Sequence, residues 1–594
     1  MRPTLRLIPI IAFLAVFIAC PARSPESPSA DIAAAIAPVS PEEAQRWADE
    51  TLRGLPLERK IGQMICEQMR GEYRPDDDPQ LARWLSLVKD YGLGGFVLYG
   101  GTPHDTARLL NRLQKEAAVP LLISSDFEGG PGQQFKGASE FPGNMALSAI
   151  DSEDLAYQVG RAGAREGRAI GVHLTYSPVV DVLTRPDNPV LGVRSFGGDI
   201  DRLGRLAGAY IKGYQENGML ATAKHYPGRG DVELIPGTEF TINNKPPDKI
   251  EAEDFAAFGK AFEAGVAFVM SEHIAIPSLA GGSDLPASVE KALAKDWLRD
   301  KLGFQGILTT DDMWYKKVTD RFGPVKACVM AVQAGHDAVL KPADVVATIQ
   351  GLVAAVRNGE IPEAQIDASV RKILAAKARL GLHRNRFVDE SRIASVVGNR
   401  EHTDLVQKVG DLSLTLLVNK GVFPMDASKL GKVVHLIIQK RDADPVPALV
   451  AAKITEGFPE ASTVILRPTS SDAHYDAALA RAKAADTVLI SIFNPKTVYV
   501  DNGPLRKKDL EFVRAVAAAK PKSTVILSYG NPFLAEGLKD APSFLVGYGE
   551  GGFYGNAVVY ADSLVKMIKG ALTPKGKLPV FVSKDFPAGS GLTY

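Results

Sequence analysis

The apolar run Gly306-Ile307-Leu308-Thr309-Thr310 ends on paired carboxylates, Asp311 and Asp312. A carboxylate at such a place can attack as a nucleophile or move a proton. Successive side chains of a strand face opposite sides, so only one of the pair is expected in a pocket, and Asp311 is the candidate. Three earlier runs repeat the pattern: Pro120 to Ser125 ends on Asp126, Leu220 to Ala223 on Lys224-His225, and Ala267 to Ser271 on Glu272-His273. Lysine and histidine are poor strand-core residues, and side by side at a strand end they suit hydrogen bonding to a hydroxyl-bearing ligand. The following Tyr226-Pro227-Gly228-Arg229-Gly230 lacks the Gly-Lys-Ser/Thr ending of a phosphate loop.

Ionisable groups at several strand ends imply a fold that gathers those ends. From about residue 46 to 385, short apolar runs alternate with helix-like segments such as 201–217 and 253–264. The strands expected are 95–98, 121–125, 173–176, 220–224, 267–271, 306–310 and 338–341. Strand and helix in alternation predict a parallel sheet, and a closed β/α barrel leaves no edge strand and brings all strand ends of one sense to one face. An open doubly wound sheet is the alternative. Helix 366–380 ends at Gly381, which suits a left-handed cap. A charged linker over 386–400 follows, and the alternation then restarts at 412–418, 433–438, 463–466, 488–493, 524–528 and 544–546. Residues 401–594 therefore form a second, smaller α/β domain with a mostly parallel open sheet.

The chain has 594 residues and equal numbers of basic and acidic residues, 69 each. It exceeds what one core holds, and its balance gives no field toward nucleic acid; a neutral, sugar-like substrate fits better than a polyanion. Arg2 and Arg6 precede an apolar run from Leu7 to Ala19, too short to span a bilayer, which takes about 20 residues. Residues 1–20 read as an export signal, and 21–45 as a Pro/Ser/Ala-rich tether. Phe17-Ile18-Ala19-Cys20 resembles a bacterial lipobox, which implies lipidation of Cys20 and a protein anchored in the cell envelope outside the cytoplasm; ordinary signal cleavage is the alternative. Cys66 and Cys328 both sit in helix-like apolar surroundings and read as buried free thiols.

Lys224-His225-Tyr226-Pro227-Gly228-x-Gly230 and Gly303-Phe304-x-Gly306-x-x-x-Thr310-Asp311-Asp312-Met313 resemble signature segments of glycoside hydrolase family 3, in its exo-β-N-acetylglucosaminidase branch. Asp126-Phe127-Glu128-Gly129-Gly130, Phe141-Pro142-x-x-Met145-Ala146-Leu147, Asn188-Pro189-Val190-x-Gly192-x-Arg194-Ser195-Phe196-Gly197 and Pro574-x-Gly576-Lys577-Leu578-Pro579 agree in the family's order. The resemblance covers nearly all of 46–594. It implies a TIM-like (β/α)8 barrel followed by an α/β sandwich domain, and a double displacement that retains anomeric configuration on a terminal β-linked sugar. Asp311 matches the nucleophile, and Asp126, Arg194, Lys224 and His225 match the contacts to the sugar's hydroxyls. His273 matches a strand-end histidine and is read as structural. The partner implied is carbohydrate, with no nucleic acid, no metal and no organic cofactor.

The sequence departs from that pattern where the branch carries an Asp-Ser-His triplet supplying the acid/base. Residues 229–240, Arg-Gly-Asp-Val-Glu-Leu-Ile-Pro-Gly-Thr-Glu-Phe, contain no histidine, and Arg229 replaces a glycine-flanked one. Overlaying Gly237-Thr238-Glu239 on the triplet makes Glu239 the expected acid/base, provided burial raises its pKa. Asp231, Glu233 and, from the second domain, Glu550 are alternatives. Two other readings stay open: a β-glucosidase or β-xylosidase of the same family, and a degenerate envelope lipoprotein that binds glycan without cleaving it.

Overall fold

The computed structural model describes residues 39–594 except 186, 187, 189, 233–240, 496–503, 552 and 553. Eight strands form the barrel of the first domain: β1 (Ile65–Gly71), β2 (Gly95–Gly101), β3 (Leu122–Ser125), β4 (Leu174–Thr175), β5 (Thr222–Tyr226), β6 (Phe268–Ser271), β7 (Ile307–Thr310) and β8 (Val339–Leu340). All pair in parallel, from Ile65 opposite Val339 through Cys66 opposite Gly95 and on to β4. The bridges Leu174–Leu220 and Thr309–Ala338 join this sheet to the β5–β6–β7 sheet and close the circle. The result is a TIM-like barrel, as the alternation predicted.

Strand β1 was not expected, and Cys66 lies on it rather than in helical surroundings. Its sequence, ICEQMRG, alternates buried and accessible positions, so Glu67, Gln68 and Arg70 break the apolar run that marks the other strands. The Cys66 thiol approaches Ser124 Oγ at 3.7 Å, and burial pushes it up to about 12. Cys328 does lie in a helix, Pro324–Ala334, and is buried.

Helices fill the crossovers. Ser152 and Asp199 accept from the first-turn N–H groups of helices Glu153–Ile170 and Ile200–Gln215, which pack against each other. Helix Glu363–Arg379 ends as expected, with Gly381 at φ 72°. The second domain holds an open six-stranded sheet, ordered Thr415–Asn419, Ser543–Gly547, Thr524–Tyr529, Thr487–Phe493, Val433–Gln439 and Ser462–Leu466. Only the first pairing is antiparallel. Helices cover it, making the α/β sandwich.

The two domains are bolted together by polar contacts. Asn556 N donates to Phe141 O at 3.0 Å, and Gly143 N to Tyr548 O at 2.9 Å. Gly555, at φ 82°, has no alternative there, since a Cβ would lie 2.6 Å from Gly143 N. Buried Glu166 accepts from Ser139 N and Oγ at 2.8 and 2.6 Å, from Gly398 N at 3.1 Å, and pairs with His402 Nδ1 at 2.8 Å. It thus joins a barrel helix, a barrel loop, the inter-domain segment and the first helix of the second domain. Glu166→Ala strands several buried donors and should cost about 3–5 kcal/mol, read as a lowered denaturation midpoint. Glu401→Ala, at the exposed residue just before His402, should stay within about 0.5 kcal/mol.

Candidate active site

The C-terminal ends of the barrel strands line one pocket of about 220 Å³. Tyr99 comes from β2, Asp126 follows β3, Lys224 and His225 come from β5, Glu272 and His273 follow β6, and Asp311 and Asp312 follow β7. Adjacent strand residues should not both face inward, yet Lys224 and His225 do. The β5–β6 register shifts between Lys224 and Tyr226, so His225 is the extra residue of a bulge.

Five residues selected from the sequence meet in this pocket: Asp126, Arg194, Lys224, His225 and Asp311. Arg194 arrives on the turn Gly192–Arg194 and is held by Glu128, which accepts from its Nε and Nη2 at 2.7 and 2.8 Å. Lys224 Nζ donates to Asp126 Oδ1 and reaches Glu128 Oε1, both at 2.8 Å. Burial alone would neutralise these groups, but mutual attraction prevails. Against burial, Arg194 and Lys224 hold the Glu128 carboxyl down at about 2. Against burial likewise, Asp126 and Glu128 raise Lys224, and Glu128 raises Arg194.

His225 is neutral: burial, then the cations Arg229, Arg194 and Lys224, drive its pKa well below the usual imidazole range. Its Nδ1 lies 2.7 Å from Asp181 Oδ2, which assigns the proton to Nδ1 and leaves Nε2 facing Arg194 Nη2 at 3.4 Å. Asp181 also accepts from the N–H of Arg229 at 2.7 Å, tying the β5 loop to the pocket.

Asp311 and Asp312 both line the pocket, contrary to the expected alternation. Strand geometry ends at Thr310, so the two-residue period does not extend to the pair. Their partners differ. Asp311 accepts from Asp312 N at 2.7 Å and lies 3.5 Å from Arg229 Nη2; Asp312 Oδ2 takes Lys341 Nζ at 2.7 Å. Burial opposes ionisation of Asp311, but hydrogen bonding from Glu272 and the charge of Arg229 hold it well below the carboxylate range. Burial raises the neighbouring Glu272; Arg229, which pairs with it, pulls the other way, and the Asp311 charge adds to the rise. The pocket therefore holds an ionised carboxylate beside a carboxyl that retains its proton.

His225, Glu272 and Asp311 bring ligating atoms within 4.8 Å of one another, and the Arg229 guanidinium already supplies positive charge to both carboxylates. His273 lines the pocket with its ring nitrogens against Ser288 Oγ at 2.8 Å and Asp312 O at 3.1 Å. Asp231 is described away from the pocket lining, 3.5 Å from Lys245. Glu550 is buried against Gly530 and is not among the lining residues, although its loop sends in Tyr554, whose ring carries the Arg194 guanidinium at 4.5 Å. Glu233 and Glu239 lie outside the described residues, as does Cys20. Sequence reasoning assigned no role to Glu128, Asp181, Arg229, Glu272 or Tyr554. Glu272 carried the strand-end signal, and Glu128 lay in a quoted motif; nothing in the sequence pointed to Tyr554.

Barrel and pocket together define a β/α-barrel enzyme, with paired charges around an ionised carboxylate at the strand ends. Residues 56–376 match the sequence profile described as the glycosyl hydrolase family 3 N terminal domain, and the chain belongs to that family. It is 27% identical over 558 residues, 90% of this chain and 95% of the relative, to a Cellulomonas fimi protein named beta-N-acetylglucosaminidase/beta-glucosidase. It is 34% identical over 276 residues to a beta-hexosaminidase of Tolumonas auensis, covering 45% of this chain and 81% of that one. A solved family 3 beta-N-acetylglucosaminidase from Paenibacillus sp. superposes with a TM-score of 0.76 at 26% identity, covering 89% of this chain and 99% of the other.

Glu272→Gln keeps a hydrogen-bond donor beside Asp311 but removes the proton that pH can take. A carboxyl whose folded pKa is raised contributes stability fully below its unfolded value and loses it as pH rises through the folded one. The melting temperature of the Gln variant should therefore gain on wild type between about pH 5 and about pH 8. A difference that is flat across this window would contradict a protonated Glu272.

Proposed function

We propose that this glycosidase is a retaining, exo-acting enzyme that removes a terminal β-linked N-acetylglucosamine through a covalent glycosyl-enzyme on Asp311. The observation that carries the reading is the placement of the Asp311 carboxylate in one pocket with Asp126, Arg194, Lys224 and His225. Asp126 and Lys224 offer an acceptor and donors to adjacent hydroxyls, Arg194 and neutral His225 complete the set, and Asp311 attacks C1. The paired charges leave little net field, which suits a neutral ring.

Attack expels the leaving oxygen, which needs a proton, and the second displacement needs a base for water. Glu239 fills both roles in this reading. It precedes the short strand Thr241–Ile242, which pairs with Ile274–Ala275 directly after pocket-lining His273, so the loop's anchor adjoins the site. N-acetylglucosamine is supported by the Lys224-His225-Tyr226-Pro227-Gly228 segment and by the relatives' names. The Cellulomonas name carries glucosidase as well, which favours β-glucosides as the second substrate class.

Envelope attachment through a lipid on Cys20 belongs to the same reading, supported by the lipobox-like Phe17-Ile18-Ala19-Cys20. Among the described residues no helix is long and apolar enough to cross a membrane. Radiolabelled palmitate should be incorporated by the wild type and not by Cys20→Ala.

A panel of β-N-acetylglucosaminides, β-glucosides and β-xylosides tests the sugar, with the first cleaved best and the first-formed product retaining the β anomer by NMR. Asp311→Ala should lose at least about a thousandfold in kcat/KM on every substrate. Glu239→Ala should lose about 10²–10⁴-fold on a natural glycoside and little on a dinitrophenyl glycoside, whose leaving group needs no proton. Equal losses on both would remove Glu239 from the acid/base role, and binding without turnover on any substrate would identify a degenerate binder.

A further inference from the structure

Helix Pro103–Glu116 is the crossover between β2 and β3, the strands that lead to Tyr99 and Asp126 in the pocket. Its core side carries Ala107, Leu110 and Leu113, while Asp105, Arg108, Asn111, Arg112 and Lys115 recur three or four positions apart on the outer side. That polar stripe is the floor of a groove of about 700 Å³. Two loops form its walls. One follows β1 and brings Tyr73, the other belongs to the inter-domain segment and brings Phe387, and the two rings are 67% and 51% exposed. Both walls are fixed to the floor: Arg112 Nη1 donates to Arg74 O at 2.9 Å, and Asn111 holds Val388 twice, donating to its O at 3.0 Å and accepting its N–H at 2.8 Å. A single exposed ring is ordinary, but two on the walls of one rigid groove make a recognition surface.

The arginines of the groove are already matched. Arg108 pairs with Glu390 at 2.8 Å, Arg112 with Asp76, and Arg74 with Asp78 at 3.2 Å. Asp105 and Lys115 then stand at opposite ends of the stripe with one charge of each sign. A polyanion or an anionic bilayer would have to displace these carboxylates. A neutral, hydroxyl-bearing chain would not, because a paired guanidinium keeps further N–H donors and the carboxylates keep acceptor sites. The C–H faces of pyranose rings in turn match the Tyr73 and Phe387 rings, which hydroxyl recognition alone leaves unused.

We propose that this groove is a second carbohydrate site, remote from the reacting atoms, which binds an uncharged β-linked polysaccharide whose chain ends the barrel pocket consumes. The inference rests on the N-acetylglucosaminidase reading above for the choice of polymer, and it adds a substrate class, polymeric glycan. The floor helix starts directly after β2, at the pole of the barrel where the pocket opens, so a polymer held along it keeps chain ends near that mouth. Retention of this kind raises the local concentration of ends without any new contact in the pocket.

Cosedimentation of the full chain with insoluble chitin, with N-acetylglucosamine in excess to occupy the pocket, reads the groove. Tyr73→Ala/Phe387→Ala should lower the association constant about fivefold or more, and Tyr73→Phe/Phe387→Tyr should keep it within about twofold of wild type. Both variants should retain the melting temperature and the kcat/KM on a nitrophenyl N-acetyl-β-glucosaminide, since neither residue lines the pocket. Wild-type retention should also persist from about 50 to about 500 mM salt, as a neutral ligand requires. Absence of wild-type retention, equal retention in the double alanine variant, or retention lost on raising salt would overturn the site. So would a double alanine variant that keeps chitin but gives up phosphatidylglycerol vesicles or dissociates a dimer, which would make the groove a membrane or self-association face. Should wild type cleave no glycoside, the hydrolytic reading fails, while the retention comparison, which needs no turnover, still decides the groove.

Discussion

Buried Glu128 is the interaction on which the rest of the site depends. One carboxylate takes the guanidinium of Arg194 in a two-point contact and the ammonium of Lys224 at 2.8 Å. Without it, Arg194 would stand buried with no carboxylate partner and Lys224 would keep only Asp126, and an uncompensated buried charge costs several kcal/mol. With it, both cations stay charged and fixed in direction, and Lys224 can still donate to Asp126. The charge around His225 then follows: a ring surrounded by Arg194, Lys224 and Arg229 stays neutral, and Asp181 takes its Nδ1 proton. The pocket therefore presents a set of donors with settled protonation states.

A second pairing governs the reactive side. Arg229 bridges Glu272 and Asp311, and Lys341 takes Asp312, so each carboxylate of the cluster has its own cation or proton. Asp311 and Glu272 are too close for both to ionise at ordinary cost, and the protonated Glu272 offers its hydrogen bond to Asp311. Separation of the two titrations is what keeps the Asp311 carboxylate ionised at neutral pH. The second domain completes the wall: Tyr554 crosses the interface held by Glu166, Phe141 and Gly143, and stacks on Arg194 from the side that Glu128 leaves open.

Much of this architecture was legible in the sequence because parallel strands buried on both faces leave a signature of short apolar runs. Seven barrel strands and all six of the second sheet carry it. Strand β1 does not, since Glu67, Gln68 and Arg70 interrupt its apolar residues, and Cys66 lies on it rather than in a helix. The departure at Asp312 has a related cause. A two-residue period holds only while the backbone stays extended, and the strand ends one residue before the pair begins.

The sequence by itself determined which chemical groups stand at the strand ends, because barrel closure sends every such end to one face whatever the details of packing. Asp126, Lys224, His225, Glu272 and Asp311 follow from that rule alone. Only the tertiary structure decided how those groups are charged and oriented. Glu128 meets Arg194 across 66 residues of sequence, Lys224 meets Asp126 across 98, and Tyr554 reaches the site from the other domain. Local periodicity carries no information about such pairings. They arise because buried charge must find its opposite, and the fold determines which opposite lies within reach.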